Sequence, residues 1–455
     1  MKQPARNTNH SRFSLAFLLF FFLVFFSSSF FSFGFADADG APEGLHFFVI
    51  GDWGSALGSR DPAFADTQRA VAAAMQQVAE EHPISFVVGV GDNFYEDGVV
   101  SVQDEKWQKT FEEVYAGAAL QKPWYNILGN HDYRGSIEAQ RQYDQQHRQQ
   151  QQQGEGVFKW NMPSFNYTLS VPLSSASAHN ATFLFLDTTP FIQEYYTKPD
   201  NQQMKDQLQQ QHWQEQLSWF KQELERLNPS HEAEEEEQKW IIVVGHHPIF
   251  SNNEWPELRQ GGYQELQNTL LPLFKKHHVA AYLCGHVHDM EHVYSEGIHH
   301  FISGAGSRVK MLPRSATTTR GIAAVHSLFH SDKAGFMRVH LEERTMHVFF
   351  YDHQGIQEYS HTFSLREVYD YSDDDDDPYE EEDDDDDDEE DEEDGEEHEG
   401  ERQDMLSGTL VVWVLMSGVI ILLTVTVTVL ALALWRMHAS QQFQSVSSTA
   451  AFQEL

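Results

Sequence analysis

Five short stretches of this sequence pair a glycine with side chains able to hold metal ions or move protons. In chain order they are Gly51-Asp52-Trp53-Gly54, Gly91-Asp92-Asn93-Phe94-Tyr95, Gly129-Asn130-His131-Asp132, Gly245-His246-His247-Pro248 and Gly285-His286-Val287-His288. Any one of them is weak, since Gly-Asp is common in turns and a lone histidine is usually a satisfied core residue. Together they offer carboxylates, a phenol, an amide oxygen and several imidazoles. Hard oxygen donors and imidazoles are side chains that hold metal ions. Cys284, at the end of an apolar run, reads as a buried thiol rather than a nucleophile. His292 makes His-x-x-x-His with His288 but lacks the glutamate of a helical His-Glu-x-x-His zinc pair.

Each glycine closes an apolar or β-branched run. The runs cover 46–50, 84–90, 124–128, 240–244, 279–284 and 299–303, and their composition predicts strands buried on both faces. Residues 64–81 place Val71, Met75 and Val78 at helical spacing, and 214–227 do the same with Leu217, Phe220, Leu224 and Leu227. Strands alternating with helices predict α/β layers, with the site on loops at strand C-termini. Residues 336–341 and 346–351 predict a closing hairpin. The Gln-rich segment 140–153 and the Glu run 232–237 read as solvated insertions without chemistry.

With these loops on the page, the chain resembles the binuclear metallophosphoesterases over residues 45–365, and within them the purple, tartrate-resistant acid phosphatases. Trp160-Asn161-Met162-Pro163, Phe185-Leu186-Asp187-Thr188 and Ser303-Gly304-Ala305-Gly306 match as well. Gly54 stands where most metallophosphoesterases carry histidine, and Tyr95, three residues after Asp92, is the subfamily's replacement. The resemblance implies a four-layer α/β/β/α sandwich and two metal ions, Fe(III) plus a divalent ion (Fe, Zn or Mn). Asp52, Tyr95 and His288 would hold the first, Asn130, His246 and His286 the second, with Asp92 bridging. It implies hydrolysis of phosphate monoesters at acidic pH by a metal-held hydroxide, with His131 protonating the leaving alkoxide. The mammalian-type pattern has a further histidine nine residues after the ligand matching His246. Trp255 stands there, which leaves the proton-donor role to His131. A phosphodiesterase with the same metals is the alternative within the family. Some membrane proteins of this fold anchor motor complexes, so a scaffold function is the alternative outside catalysis.

The remainder of the chain speaks of membranes. Basic residues in 1–12, an apolar stretch 13–35 and Ala36 and Ala38 have the layout of a secretory signal peptide, with an uncleaved anchor as the alternative. Residues 409–435 carry no charge, and at ~1.5 Å per residue they cross a core of ~30 Å. The expected organisation is a signal peptide (1–38), a catalytic domain (39–367), an acidic stalk (368–408), a transmembrane helix (409–435) and a short cytoplasmic tail (436–455). This is a type I arrangement with the catalytic domain lumenal or extracellular, in the secretory pathway, a vacuole or lysosome, or at the cell surface. Asn166-Tyr167-Thr168 and Asn180-Ala181-Thr182 are glycosylation sequons. The net charge of −40 excludes a generally basic nucleic-acid binder. Residues 373–404 alone hold 25 acidic residues and one basic residue. Such a run extends by self-repulsion and reads as a spacer, with cation binding as the alternative. One cysteine excludes an internal disulfide.

Overall fold

The structure, a computed structural model, describes residues 44–152, 159–174, 177, 179–228, 238–251, 262–309 and 325–371. All belong to one compact unit that ends at Glu380. The expected signal peptide, the acidic run 373–404, the apolar run 409–435, the tail, Trp255 and the Glu run 232–237 lie outside the described residues. Among the described residues no helix is long and apolar enough to cross a membrane.

Strand β1 (Leu45–Ile50) shows how this sequence forms a sheet buried on both sides. Phe47 and Val49 face one apolar layer while Phe48 and Ile50 face another, following the two-residue strand period. Beside it run β2 (Phe86–Gly89), β3 (Trp124–Asn126) and β4 (Trp160–Asn161), all parallel. A second sheet starts with the antiparallel pair β5 (Asn166–Pro172) and β6 (Asn180–Leu186), then continues through the parallel strands β7 (Trp240–Val244) and β8 (Ala281–Cys284). Strand β9 (Met290–Ser295) lies antiparallel between β10 (Ile298–Ser303) and β11 (Val325–Ser331), and β10 pairs parallel with β8. The chain then returns to the first sheet as β12 (Gly335–Leu341), β13 (Thr345–Asp352) and β14 (Gln357–Ser364), β12 pairing antiparallel with β1. Two seven-stranded mixed sheets result.

Three apolar layers hold them. Phe47, Val49, Phe183, Phe185, Ile242 and Phe301 come from both sheets and fill the space between them. Helix Pro62–Glu81 packs Val71, Met75 and Val78 on the outer face of the first sheet. It starts where Asp61 accepts a hydrogen bond from the Ala63 N–H (2.9 Å) and Pro62 fits the first turn. Helix Trp213–Leu227 buries Phe220, Leu224 and Leu227 against the outer face of the second sheet. The α/β expectation holds, with helices outside and paired sheets inside. One expectation fails. Gln140, assigned to a solvated insertion, joins Ile137 and Ala139 on the buried side of helix Ile137–Gln152 and is fully buried itself.

Candidate metal centre

Strands β1, β2, β3, β7 and β8 end on the same side of the two sheets, and the five glycine-marked loops converge there. Three residues in these loops hold left-handed backbone angles that L side chains rarely adopt: Asp52 (φ 57°), Asp92 (φ 51°) and His286 (φ 70°). Such conformations persist only where surrounding structure enforces them, and they cluster at functional sites. A β-carbon on Gly129 would lie 2.3 Å from Asp92 Oδ1, so only glycine leaves that carboxylate room.

The side chains form two groups meeting at Asp92. On one side the Tyr95 hydroxyl donates to Asp52 Oδ1 (2.8 Å) and to Asp92 Oδ2 (2.9 Å), and lies 3.1 Å from His288 Nε2. His288 Nε2 is 3.4 Å from Asp52 Oδ1. On the other side Asn130 Oδ1 is 3.2 Å from His246 Nε2 and 3.1 Å from His286 Nδ1. His246 Nε2 is 3.5 Å from Asp92 Oδ1. His246 also donates from Nδ1 to the Val90 carbonyl (2.8 Å), which fixes the tautomer and leaves Nε2 for an ion. All seven proposed ligands therefore come together, and each oxygen of Asp92 faces a different donor group.

The electrostatics suit cations. Burial opposes charging Asp92, yet His246, His131 and His286 around it hold its carboxyl well below the usual range. Burial would lower His246, but Asp92 and Asp52 raise it. Burial pushes the Tyr95 phenol far up, reinforced by Asp52 and Asp92, so without an ion it keeps its proton. A trivalent ion would displace that proton, because coordination needs the deprotonated ligand. Two carboxylates, a phenol, an amide oxygen and three imidazoles fit a binuclear centre of hard and borderline ions.

His131 lies at the rim, its side chain 14% exposed. Its backbone N–H donates to Asp92 Oδ1 (2.8 Å) and its Nδ1 to the Glu96 carbonyl (2.7 Å). Nε2 is thereby directed toward Asp92 Oδ2, 3.9 Å away. His292 is no partner of His288 in a helical pair, because it lies within β9. Cys284 is fully buried, and burial raises its thiol well above the ordinary range. His247 belongs to a compact cluster with His246 and His286, but both its ring nitrogens are engaged, Nδ1 with Thr188 (2.9 Å) and Nε2 with Tyr195 (3.0 Å).

Sequence reasoning gave no role to several residues that brace the site. Buried Asp132 accepts from the N–H groups of Asn93 and Gly129 and from Gln140 Nε2, tying the loop after β2 to the loop after β3. Burial and neighbouring Asp92 push its carboxyl up to about 7. Arg308 stacks its guanidinium 3.7 Å from the Tyr95 ring centre and pairs with Glu96 (2.5 Å). Asp132 closes one of the five marked stretches, where its neighbours drew the chemistry, and Arg308 lies two residues beyond the Ser303–Gly306 match.

Two facing mixed sheets with a binuclear donor set at their strand ends define a class of protein. The chain belongs to the calcineurin-like phosphoesterase family, whose pattern it matches over residues 45–290. Within that family its similarity is to acid phosphatases of the purple, tartrate-resistant type. It is 34% identical to purple acid phosphatase 4 of Arabidopsis thaliana over 325 residues, 69% of this chain and 82% of that protein. It is 29% identical to human tartrate-resistant acid phosphatase type 5 over 328 residues, 70% of this chain and 90% of that protein. Among solved structures it resembles GAP50, "the anchor in the inner membrane complex of Plasmodium". The TM-score is 0.52 and the identity 25%, covering 71% of this chain and 89% of that one.

Proposed function

We propose that the chain is a membrane-anchored hydrolase of phosphate monoesters working at a binuclear Fe(III)–divalent centre, the divalent ion being Fe, Zn or Mn. Asp52, Tyr95 and His288 would hold one ion, and Asn130, His246 and His286 the other, with Asp92 shared. The observation that carries this reading is the division of Asp92, Oδ2 toward Tyr95 and Oδ1 toward His246. When bound, such a pair of ions supplies Lewis acidity to the phosphoryl oxygens and an activated water. His131, oriented through Nδ1 by the Glu96 carbonyl, presents Nε2 to protonate the departing alkoxide oxygen. Asp132 and Arg308 position the loops and add no chemistry of their own. Purified full chain should contain at least two metal ions and hydrolyse a chromogenic phosphate monoester at acidic pH. Metal-loaded, folded protein with no such hydrolysis would overturn the reading.

The anchor rests on the sequence. Residues 1–38 are read as a signal peptide and 409–435 as the membrane span, which leaves the catalytic domain lumenal or extracellular. Release of the protein from membranes on deletion of residues 409–455 tests it. A second reading, a scaffold with a phosphatase-like domain, is favoured by the likeness to the Plasmodium anchor. Intact donor groups argue for catalysis, because a pure scaffold has no need of seven particular ligands.

A further inference from the structure

Among the described residues, three histidines enter the largely apolar layer between the two sheets. His292 on β9, His299 on β10 and His361 on β14 all point into it. Their same-face neighbours Met290, Phe301 and Phe363 belong to the inter-sheet core. The first two strands are in one sheet and β14 is in the other. One nitrogen of each histidine lies within 4.8 Å of the others. His292 Nε2 and His299 Nδ1 are 2.9 Å apart, while His292 Nδ1 is engaged by the Tyr359 hydroxyl (3.0 Å). That contact leaves Nε2 as the nitrogen directed into the trio. His361 is half-buried, and its Nε2 is a buried atom with no hydrogen-bond partner. The unpaired nitrogen lies beside two convergent imidazoles from the facing sheet, an arrangement that a shared ligand would satisfy.

We infer that His292, His299 and His361 form a further metal site, which takes a divalent transition ion of the zinc class and staples the two sheets together. Three imidazoles with an open fourth position form a donor set suited to zinc, whereas magnesium and calcium prefer oxygen ligands. Burial, the first cause in each case, holds all three imidazoles below their ordinary range and so keeps them in the neutral form that binds metal. With zinc–nitrogen bonds of about 2.0–2.1 Å, tetrahedral ligand atoms stand about 3.3 Å apart. The His292–His299 pair would need to open by only a few tenths of an ångström. The half-buried edge at His361 gives the ion a way in and a place for a water ligand. None of the three residues is a proposed ligand of the centre at Asp92, so the inference stands apart from the catalytic reading.

The test compares the full chain with His361→Gln and His299→Phe after saturation with Zn2+ and removal of free ion. Wild type should retain one more zinc per chain than either variant, and added Zn2+ should raise its thermal midpoint more. A variant that keeps native circular dichroism and the wild-type zinc content would overturn the site. The difference between proteins does not depend on how many ions the Asp92 centre holds. A second measurement needs no variant. Crystals of the wild-type chain grown with Zn2+ should give a zinc anomalous peak among the three rings, and its absence there would overturn the proposal.

Discussion

Asp92 is the side chain we propose as shared by both donor groups, and its removal should act on both at once. Asp92→Ala leaves two sets of ligands without their shared anion, so metal analysis of the folded variant should find both ions lost along with activity. Retention of two ions would mean that the carboxylate does not bridge. His131 is different, since its contacts to Asp92 and Glu96 are hydrogen bonds and its ring belongs to neither donor group. His131→Ala should keep both metals and slow turnover by roughly 10²–10⁴-fold, the usual yield of a general acid. Unchanged rates at every pH would remove it from the chemistry. Tyr95→Phe preserves the ring against the Arg308 guanidinium while removing the oxygen between Asp52, Asp92 and His288. A phenolate on Fe(III) colours a protein by charge transfer. The wild type should therefore be pink to purple, and the variant should lose the colour and hold iron less firmly. A colourless, fully active wild type containing two zinc ions would exclude the phenolate.

At the scale of elements, the loops after β1 and β2 are pressed against one another. A β-carbon on Gly54 would lie 1.9 Å from the Asn93 carbonyl oxygen and 2.7 Å from Phe94 Cα, both backbone atoms that cannot rotate away. No side chain fits at Gly54, and in the proposed centre the Tyr95 phenol would serve that corner of the site. Gly54→Ala should cost about 1–3 kcal/mol of stability through overpacking and loosen the metals, as thermal melts with metal analysis would register. An unaltered melt would show that the loops part freely. The same contrast explains what the sequence made legible. Strands such as β1 and β7 are continuous apolar runs because both faces are buried, and they were readable. Strand β14, QEYSHTFS, keeps a partly exposed face and reads as polar. Strand β9 is wholly buried yet carries Glu291 and His292, so its burial depends on partners distant in sequence. Gln140 was hidden for a related reason. Its bonds to Asn93 and Asp132 are tertiary, and a glutamine heading a glutamine-rich run looks like solvent-facing surface.

For the molecule as a whole, acidic charge is concentrated in the run 373–404, with 25 acidic residues and one basic residue. Exposed charges are screened within about 8–10 Å at physiological salt, so deleting that run should leave turnover on a small ester within about threefold. Complete loss of activity in folded protein would tie the run to catalysis. The buried histidines set a stronger whole-molecule response to acid. Burial lowers His300 from 6.5 to about 3, and both its ring nitrogens are buried without partners beside Phe250 and Tyr282. Between those two values the unfolded chain takes up a proton that the folded chain refuses. Stability is thus complete above about pH 6.5 and falls as pH drops toward 3, by about 1.4 kcal/mol per pH unit for this one group. Asp187, pushed up to about 7 by burial, works in the opposite sense, because its folded form binds a proton first. A single-site comparison cancels that term. His300→Phe keeps a ring in contact with Phe250 and removes the titrating group. Its thermal midpoint should fall less between pH 7 and pH 5 than the wild type's, by the equivalent of about 2 kcal/mol. An identical fall in the two proteins would show that His300 is already protonated, or hydrated, in the folded chain at pH 5.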